Sequence, residues 1–198
     1  MRVIAVDTST ELSSIAYVDS GTVISMASHT DARGHVEAIG TLFAELELDL
    51  NSLPDLIACG VGPGPYTGLR VGIAFAQGLS AAWSVPVVGV CSLDAVANAI
   101  IRQGLVDPGS EFMAATDARR NEYYWAKFDG SGKRVSGPNV DLTEVVRALA
   151  LEAEIPLVTQ VLPHAIDIAA CAVRGDRLDV TPMYLREADA QPSAPVTL

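Results

Sequence analysis

Gly60-Val61-Gly62-Pro63-Gly64-Pro65-Tyr66-Thr67-Gly68-Leu69-Arg70 decides how this chain folds. The apolar run Leu56 to Val61 leads into it, and the Ala/Gly/Leu-rich segment Leu69 to Trp83 leads out. That order reads as strand, stiff glycine-proline loop and helix. Glycines permit positive φ and close approach, and Pro63 and Pro65 stiffen the turn. Such a loop presents bare backbone amides at a helix N-terminus, where anions bind. It is not a Walker A loop, because no Gly-Lys-Ser/Thr follows. The loop therefore either holds a phosphate or mounts a helix that holds another protein. Thr67 is a candidate cap for that helix. Arg70 is expected in its first turn, where the helix dipole disfavours a cation, so an acidic partner is expected for it.

Working outward, Val3 to Val6 is a strand ending in the polar turn Asp7-Thr8-Ser9-Thr10. Ser13 to Val18 and Thr22 to Ala27 complete a three-stranded antiparallel meander. A helix follows from Gly34-His35, with Val36, Ile39, Phe43, Leu46 and Leu50 on one face. After the loop and its helix come the strand Pro86 to Val90 and a helix, Leu93 to Ile101, with Ser92 as a candidate cap. Gly104 to Ser110 reads as a crossing into a second unit. That unit has strands Phe112 to Thr116 and Glu122 to Phe128, a turn at Asp129 to Gly132, and a Thr-capped helix Thr143 to Leu151. A short strand, Ile155 to Val158, and a last helix, Pro163 to Val173, complete it. The second unit begins the order of the first and stops early. The class is α/β, a mixed sheet flanked by helices. The expected division is residues 1–103 and 104–198, the latter a smaller lobe with a C-terminal tail.

Composition narrows the function. Asp and Glu number 24 against 13 Lys and Arg, for a net charge of −11, so the chain as a whole is not a nucleic-acid grip. A local basic patch is compatible with that balance. Cys59, Cys91 and Cys171 are far apart in apolar runs and read as buried free thiols in a reducing compartment. The run at Met1 to Asp7 is too short for a secretory signal, and no run approaches the ~20 apolar residues of a membrane span, so a cytoplasmic location is expected. His29, His35 and His164 lack metal-ligand spacing on one helix, and no HExxH, CxxC or Gly-x-Ser-x-Gly pattern occurs. Asp7 and Thr8 are weak candidates for a phosphate-binding hairpin, without a nearby Lys or Arg. Arg119, in the charged turn Asp117 to Glu122, is a third. The helix after the loop is rich in small residues: Gly68, Gly72, Ala74, Ala76, Gly78, Ala81 and Ala82. Each glycine there costs up to ~1 kcal/mol relative to alanine, which close packing must offset.

Four segments in order, Val3 to Thr10, Gly62 to Gly72, Asp117 to Ala126 and Pro182 to Arg186, resemble the TsaB (YeaZ) family of bacterial tRNA threonylcarbamoyladenosine (t6A) biosynthesis proteins. The resemblance covers residues 1 to about 130 well and is loose from there to the tail. It implies an actin-like ATPase (ASKHA) fold of two ribonuclease-H-like lobes, the second reduced. It further implies a non-catalytic subunit that binds and activates a paralogue, TsaD, the transferase acting on N6 of adenosine 37 in tRNA. The ATPase TsaE joins the complex, tRNA is met through it, and the chain forms a homodimer when alone. No intrinsic cofactor is implied, although ATP or ADP at the complex interface is compatible with it.

TsaD carries a metal-binding His-x-x-x-His; the matching positions here are Ser92 and Val96. In this family the first two helices form the partner contact. That implies an interface of Val36, Ile39, Phe43 and Leu46 with Arg70, Val71, Gly72, Phe75, Gly78 and Leu79. Only Gln160-Val161-Leu162 stands where the family has a glycine turn and a longer insertion. The competing readings are a glycopeptidase-like enzyme without a metal, a small ASKHA kinase, and direct tRNA binding by this chain.

Overall fold

The computed structural model describes residues 1–31, 34–46, 48 and 53–186. A first sheet is built from β1 (Arg2–Asp7), β2 (Leu12–Asp19), β3 (Thr22–Thr30), β4 (Leu56–Gly62) and β5 (Val87–Cys91), in the spatial order β3-β2-β1-β4-β5. The first three strands pair antiparallel, with Ala5 opposite Ala16 and Ile15 opposite Ala27. β4 and β5 add in parallel. A parallel neighbour needs a crossover, and helices supply it: α1 (His35–Ala44) before β4 and α2 (Tyr66–Trp83) before β5. These two helices cover one face and a C-terminal helix covers the other, which is why β1 and β4 are nearly continuous apolar runs. Residues alternate across the sheet. Val3, Ala5 and Ala58 pack on the side of α5 (Ala165–Arg174), and Ile4, Val6 and Ile57 on the side of α1 and α2.

The second sheet contains β6 (Gly109–Asp117), β7 (Glu122–Gly130), β8 (Arg134–Leu142) and β9 (Leu157–Val158), ordered β8-β7-β6-β9. It repeats the meander and one parallel strand, with α4 (Thr143–Glu152) as the crossover, and has no fifth strand among the described residues. α3 (Ser92–Arg102) joins the two sheets: Leu93, Val96 and Ile100 pack on Phe112, Ala114 and Phe128. This pair of sheets, the second shortened, is the actin-like arrangement.

Several expectations are corrected. α5 follows the boundary drawn at 103/104 but packs on the first sheet, because Ile168, Ala169, Cys171 and Ala172 make an apolar face that β1 and β2 bury. The tail returns as well: Leu178 bridges Gly89, and the Met183 N–H donates to the Val61 carbonyl at 2.7 Å. α1 ends at Ala44, Leu46 still enters the core, and Leu50 lies outside the described residues. β8 is an additional strand. Its Gly137-Pro138 pair obscures a strand pattern, yet an edge strand tolerates proline. Ser92, Thr67 and Thr143 are not caps, since each lies inside its helix; the cap positions are Cys91, Pro65 and Leu142.

Candidate functional site

The β1–β2 turn and the glycine-proline loop close on each other. Asp7 is fully buried. Its Oδ1 accepts from the Ser9 N–H at 2.9 Å and the Ser9 hydroxyl at 2.8 Å, and its Oδ2 accepts from the Ser92 hydroxyl at 3.1 Å. The Ser92 oxygen in turn accepts from the Gly62 N–H at 3.2 Å. Burial raises the Asp7 pKa from the ordinary 3.8 to about 6, against the opposing pull of these hydrogen bonds. Thr8, 1% exposed, donates its hydroxyl to the Gly68 carbonyl at 2.7 Å. A Cβ on Gly72 would lie 2.5 Å from Thr8 Oγ1, and one on Gly68 would overlap the Thr8 carbonyl. The small residues at the start of α2 thus admit the β1–β2 turn of the same chain. Gly64 likewise lies against the Ser9 backbone, and the Asp7 carboxylate and Thr8 hydroxyl are engaged by groups of the same chain.

Arg119 belongs to a different neighbourhood. It lies exposed on the β6–β7 turn, 3.5 Å from Asp117, in a run where Arg119, Arg120 and Asn121 all have φ between 55° and 63°. Arg70 is the fifth residue of α2, beyond its first turn. Its partners are aromatic rather than acidic. The guanidinium sits 3.9 Å from the centre of the Tyr66 ring, Nε donates to the Tyr184 hydroxyl at 3.1 Å, and the two rings stack at 5.1 Å. A cation held by a ring face and a phenol oxygen needs no carboxylate.

α1 and α2 lie side by side, and an open apolar groove of about 530 Å³ runs between them, lined by Val36, Ile39, Tyr66, Val71, Ala74 and Phe75. Val36 is 62% exposed. Phe43 meets Phe75 edge-on at 5.4 Å. Of the ten residues expected on this face, Val36, Arg70 and Gly78 are exposed and Phe43, Val71, Phe75 and Leu79 half-buried. Ile39, Leu46 and Gly72 are buried: Ile39 and Leu46 in the core of this chain, Gly72 against Thr8. Gly78 has no atom within 4 Å of where a Cβ would stand, so nothing in the described chain requires a glycine there.

Some pairings left no trace in the sequence. Ser13 Oγ and His35 Nδ1 are 2.7 Å apart, both residues buried, and burial lowers the His35 pKa. The buried Asp167 carboxylate accepts from Asn98 at 2.8 Å and from Arg102 at 3.0 and 2.9 Å, tying α5 to α3. Positions 22 to 69 residues apart carry no periodic signal linking them. Each cysteine thiol is pushed up to about 12 by burial, consistent with structural thiols. The pair at 92 and 96 does not fit a metal, because the Ser92 hydroxyl is engaged by Asp7 and Gly62 and Val96 has no donor atom.

These features define an actin-like fold whose first hairpin is closed over by its own loop and whose first two helices present an apolar groove. The family model of the tRNA N6-adenosine threonylcarbamoyltransferase TsaD matches residues 10–185. An uncharacterized protein of Mycobacterium tuberculosis (strain H37Rv) is 34% identical, over 98% of this chain and 96% of its own length. The tRNA threonylcarbamoyladenosine biosynthesis protein TsaB of Escherichia coli K12 is 37% identical over 65% of this chain and 55% of its own. Among solved structures, YeaZ from Pseudomonas aeruginosa superposes with a TM-score of 0.73 at 28% identity, covering 93% of this chain and 99% of that one. The chain belongs to the TsaB/YeaZ family, within the broader TsaD-type group.

Proposed function

We propose that this chain is a non-catalytic subunit required for t6A formation in tRNA, which binds and activates TsaD and works with TsaE in the cytoplasm. The observation that carries the reading is the exposed groove between α1 and α2. An apolar surface centred on Val36, Val71 and Phe75 is stabilised when another helical surface covers it. The inward-turned Asp7 and the Ser92/Val96 pair support a regulatory rather than a chemical role. In the absence of TsaD the same groove joins two copies of the chain. Tyr66, Arg70 and Tyr184 form its rim, and ATP or ADP, where it enters, sits at the complex interface. tRNA is met through the assembled complex.

Val36→Asp combined with Val71→Asp tests this by placing two charges in the groove without disturbing the buried Ile39. Copurification with TsaD and t6A formation in a reconstituted mixture are expected to be lost, with an unchanged melting profile of the chain alone. A retained complex refutes the reading. The Ser13–His35 contact favours a second reading, a peptidase. At 1% exposure Ser13 is poorly placed to reach a substrate. Peptide cleavage by the purified chain, abolished by Ser13→Ala, would establish it.

A further inference from the structure

A second concave site lies away from both the α1–α2 groove and the β1–β2 turn. The β7–β8 turn, the start of α3 and the segment after α5 enclose a polar pocket of about 220 Å³, lined by Asp94, Lys133, Arg134, Asp176 and Arg177. Both carboxylates there are already neutralised. Asp94 is bound by Arg134 at 2.8 Å, and Arg134 also donates to the Gly137 carbonyl at 3.0 Å. Asp176 is bound by Arg174 at 2.6 Å. Asp129, nearest to Lys133 in sequence, accepts from the Ser131 hydroxyl at 2.6 Å and from two backbone amides.

Lys133 and Arg177 remain. Among the described residues neither has a carboxylate within ion-pair distance of its charged nitrogens. Arg177 is nevertheless oriented, because its Nε donates to the Ala172 carbonyl at 2.8 Å. Lys133 helps hold the Asp129 carboxyl below its ordinary range from outside ion-pair distance, and with Arg177 it lines one concavity in a chain of net charge −11. Donors gathered in a cleft concentrate an attractive field for anions. The volume is below the roughly 300 Å³ at which pockets begin to engulf whole small ligands. It suits one phosphate group with part of its ester.

We propose that Lys133 and Arg177, with Arg134 behind them, bind a single phosphate group. Two sources carry that chemistry: a free phosphate or phosphomonoester, and a phosphodiester of an RNA backbone. The second would give this subunit its own contact with tRNA, beyond the scaffold role proposed above. The site stands independently of that role.

The test uses the full chain. Inorganic phosphate is titrated into isotopically labelled protein at low salt, following the amide signals of Gly132, Lys133 and Arg177. In parallel, a fluorescein-labelled RNA hairpin is titrated across a salt series. Lys133→Glu and the double variant Lys133→Glu, Arg177→Ala are compared with the parent and with Arg147→Ala on α4, after melting profiles confirm folding. Lys133→Glu leaves the Arg177 anchor intact, so it reports even if the double variant fails to fold. Phosphate is expected to shift the three signals in the parent and in Arg147→Ala, with at least a tenfold weaker response in Lys133→Glu. If RNA is the source, the slope of log affinity against log salt should fall by about 1 to 2 in the double variant. Phosphate shifts with an unchanged RNA slope identify the free anion. Absence of both effects, or shifts undiminished in Lys133→Glu, overturns the proposal.

Discussion

Replacing Asp7 by Asn should make this protein more stable at neutral pH and should do so in a pH-dependent way. Asp7 is fully buried and its pKa is raised from 3.8 to about 6. The native state therefore holds the proton more tightly than the unfolded chain. By linkage, this group's contribution is most favourable below pH 3.8 and declines as pH rises through the folded value near 6. A shift of about two units corresponds to roughly 3 kcal/mol between those limits. Asn keeps the geometry: its oxygen can accept from Ser9, and its amide can donate to the Ser92 oxygen. The substitution should thus be nearly neutral at pH 4 and stabilising by up to about 3 kcal/mol at pH 8, a rise in Tm of roughly 6–12 °C.

The assay is urea unfolding of both proteins at intervals between pH 4 and 8, reading the difference between them. Taking the difference matters because other groups titrate in the same range. His35 and His164 have lowered values through burial, so their contribution falls as pH drops below 6.5 and through the folded values. Asp94, raised by burial, acts in the same direction as Asp7. All three are present in both proteins and cancel. A difference that stays flat from pH 4 to 8, or that grows toward acid, refutes the assignment of a costly buried charge at Asp7.

Two glycines of α2 should respond oppositely to alanine. Gly72→Ala drives a methyl against Thr8 Oγ1 and is expected to lower stability by about 1–2 kcal/mol net of helix propensity, whereas Gly78→Ala meets nothing and should raise it by up to about 1 kcal/mol. Thermal melts of the two variants check this pair, and equal signs would contradict the packing described. Arg102→Ala leaves the 1%-exposed Asp167 with Asn98 as its one side-chain donor among the described residues and should cost about 3 kcal/mol in urea unfolding, since removing one partner strands a buried charge. Tyr184→Phe removes the hydroxyl that accepts from Arg70 but keeps the ring stack, so it should change stability by less than about 1 kcal/mol, with Tyr184→Ala costing more.

Much of the architecture is legible in local pattern. The run Val3–Val6, the meander after it and the strand-loop-helix unit around Gly62 all follow from apolar periodicity and turn chemistry, and each appears close to its expected place. Elements whose identity depends on neighbours were harder to read. β8 is a strand because β7 offers it an edge, despite Gly137 and Pro138. α5 belongs to the first sheet because its apolar face fits β1 and β2, and nothing in its own residues names that destination.

The candidate site divides along the same line. Composition and order locate the glycine-proline loop and the small-residue helix behind it, and the resemblance of four segments points to the family. The role of each small residue could not be read that way, because glycine looks the same in sequence whether it admits a neighbouring backbone or lies open to solvent. Only the fold distinguishes Gly72, pressed on Thr8, from Gly78, where a Cβ would meet no atom of the described residues within 4 Å. Only the fold brings Ser92 to Asp7 across 85 positions and directs Arg70 to Tyr66 and Tyr184 instead of an acid. Hydrophobic period is a property of neighbours in the chain and survives in one dimension. Burial, charge pairing and open space are properties of neighbours in space, and these decide which face of the glycine-rich helix is left open.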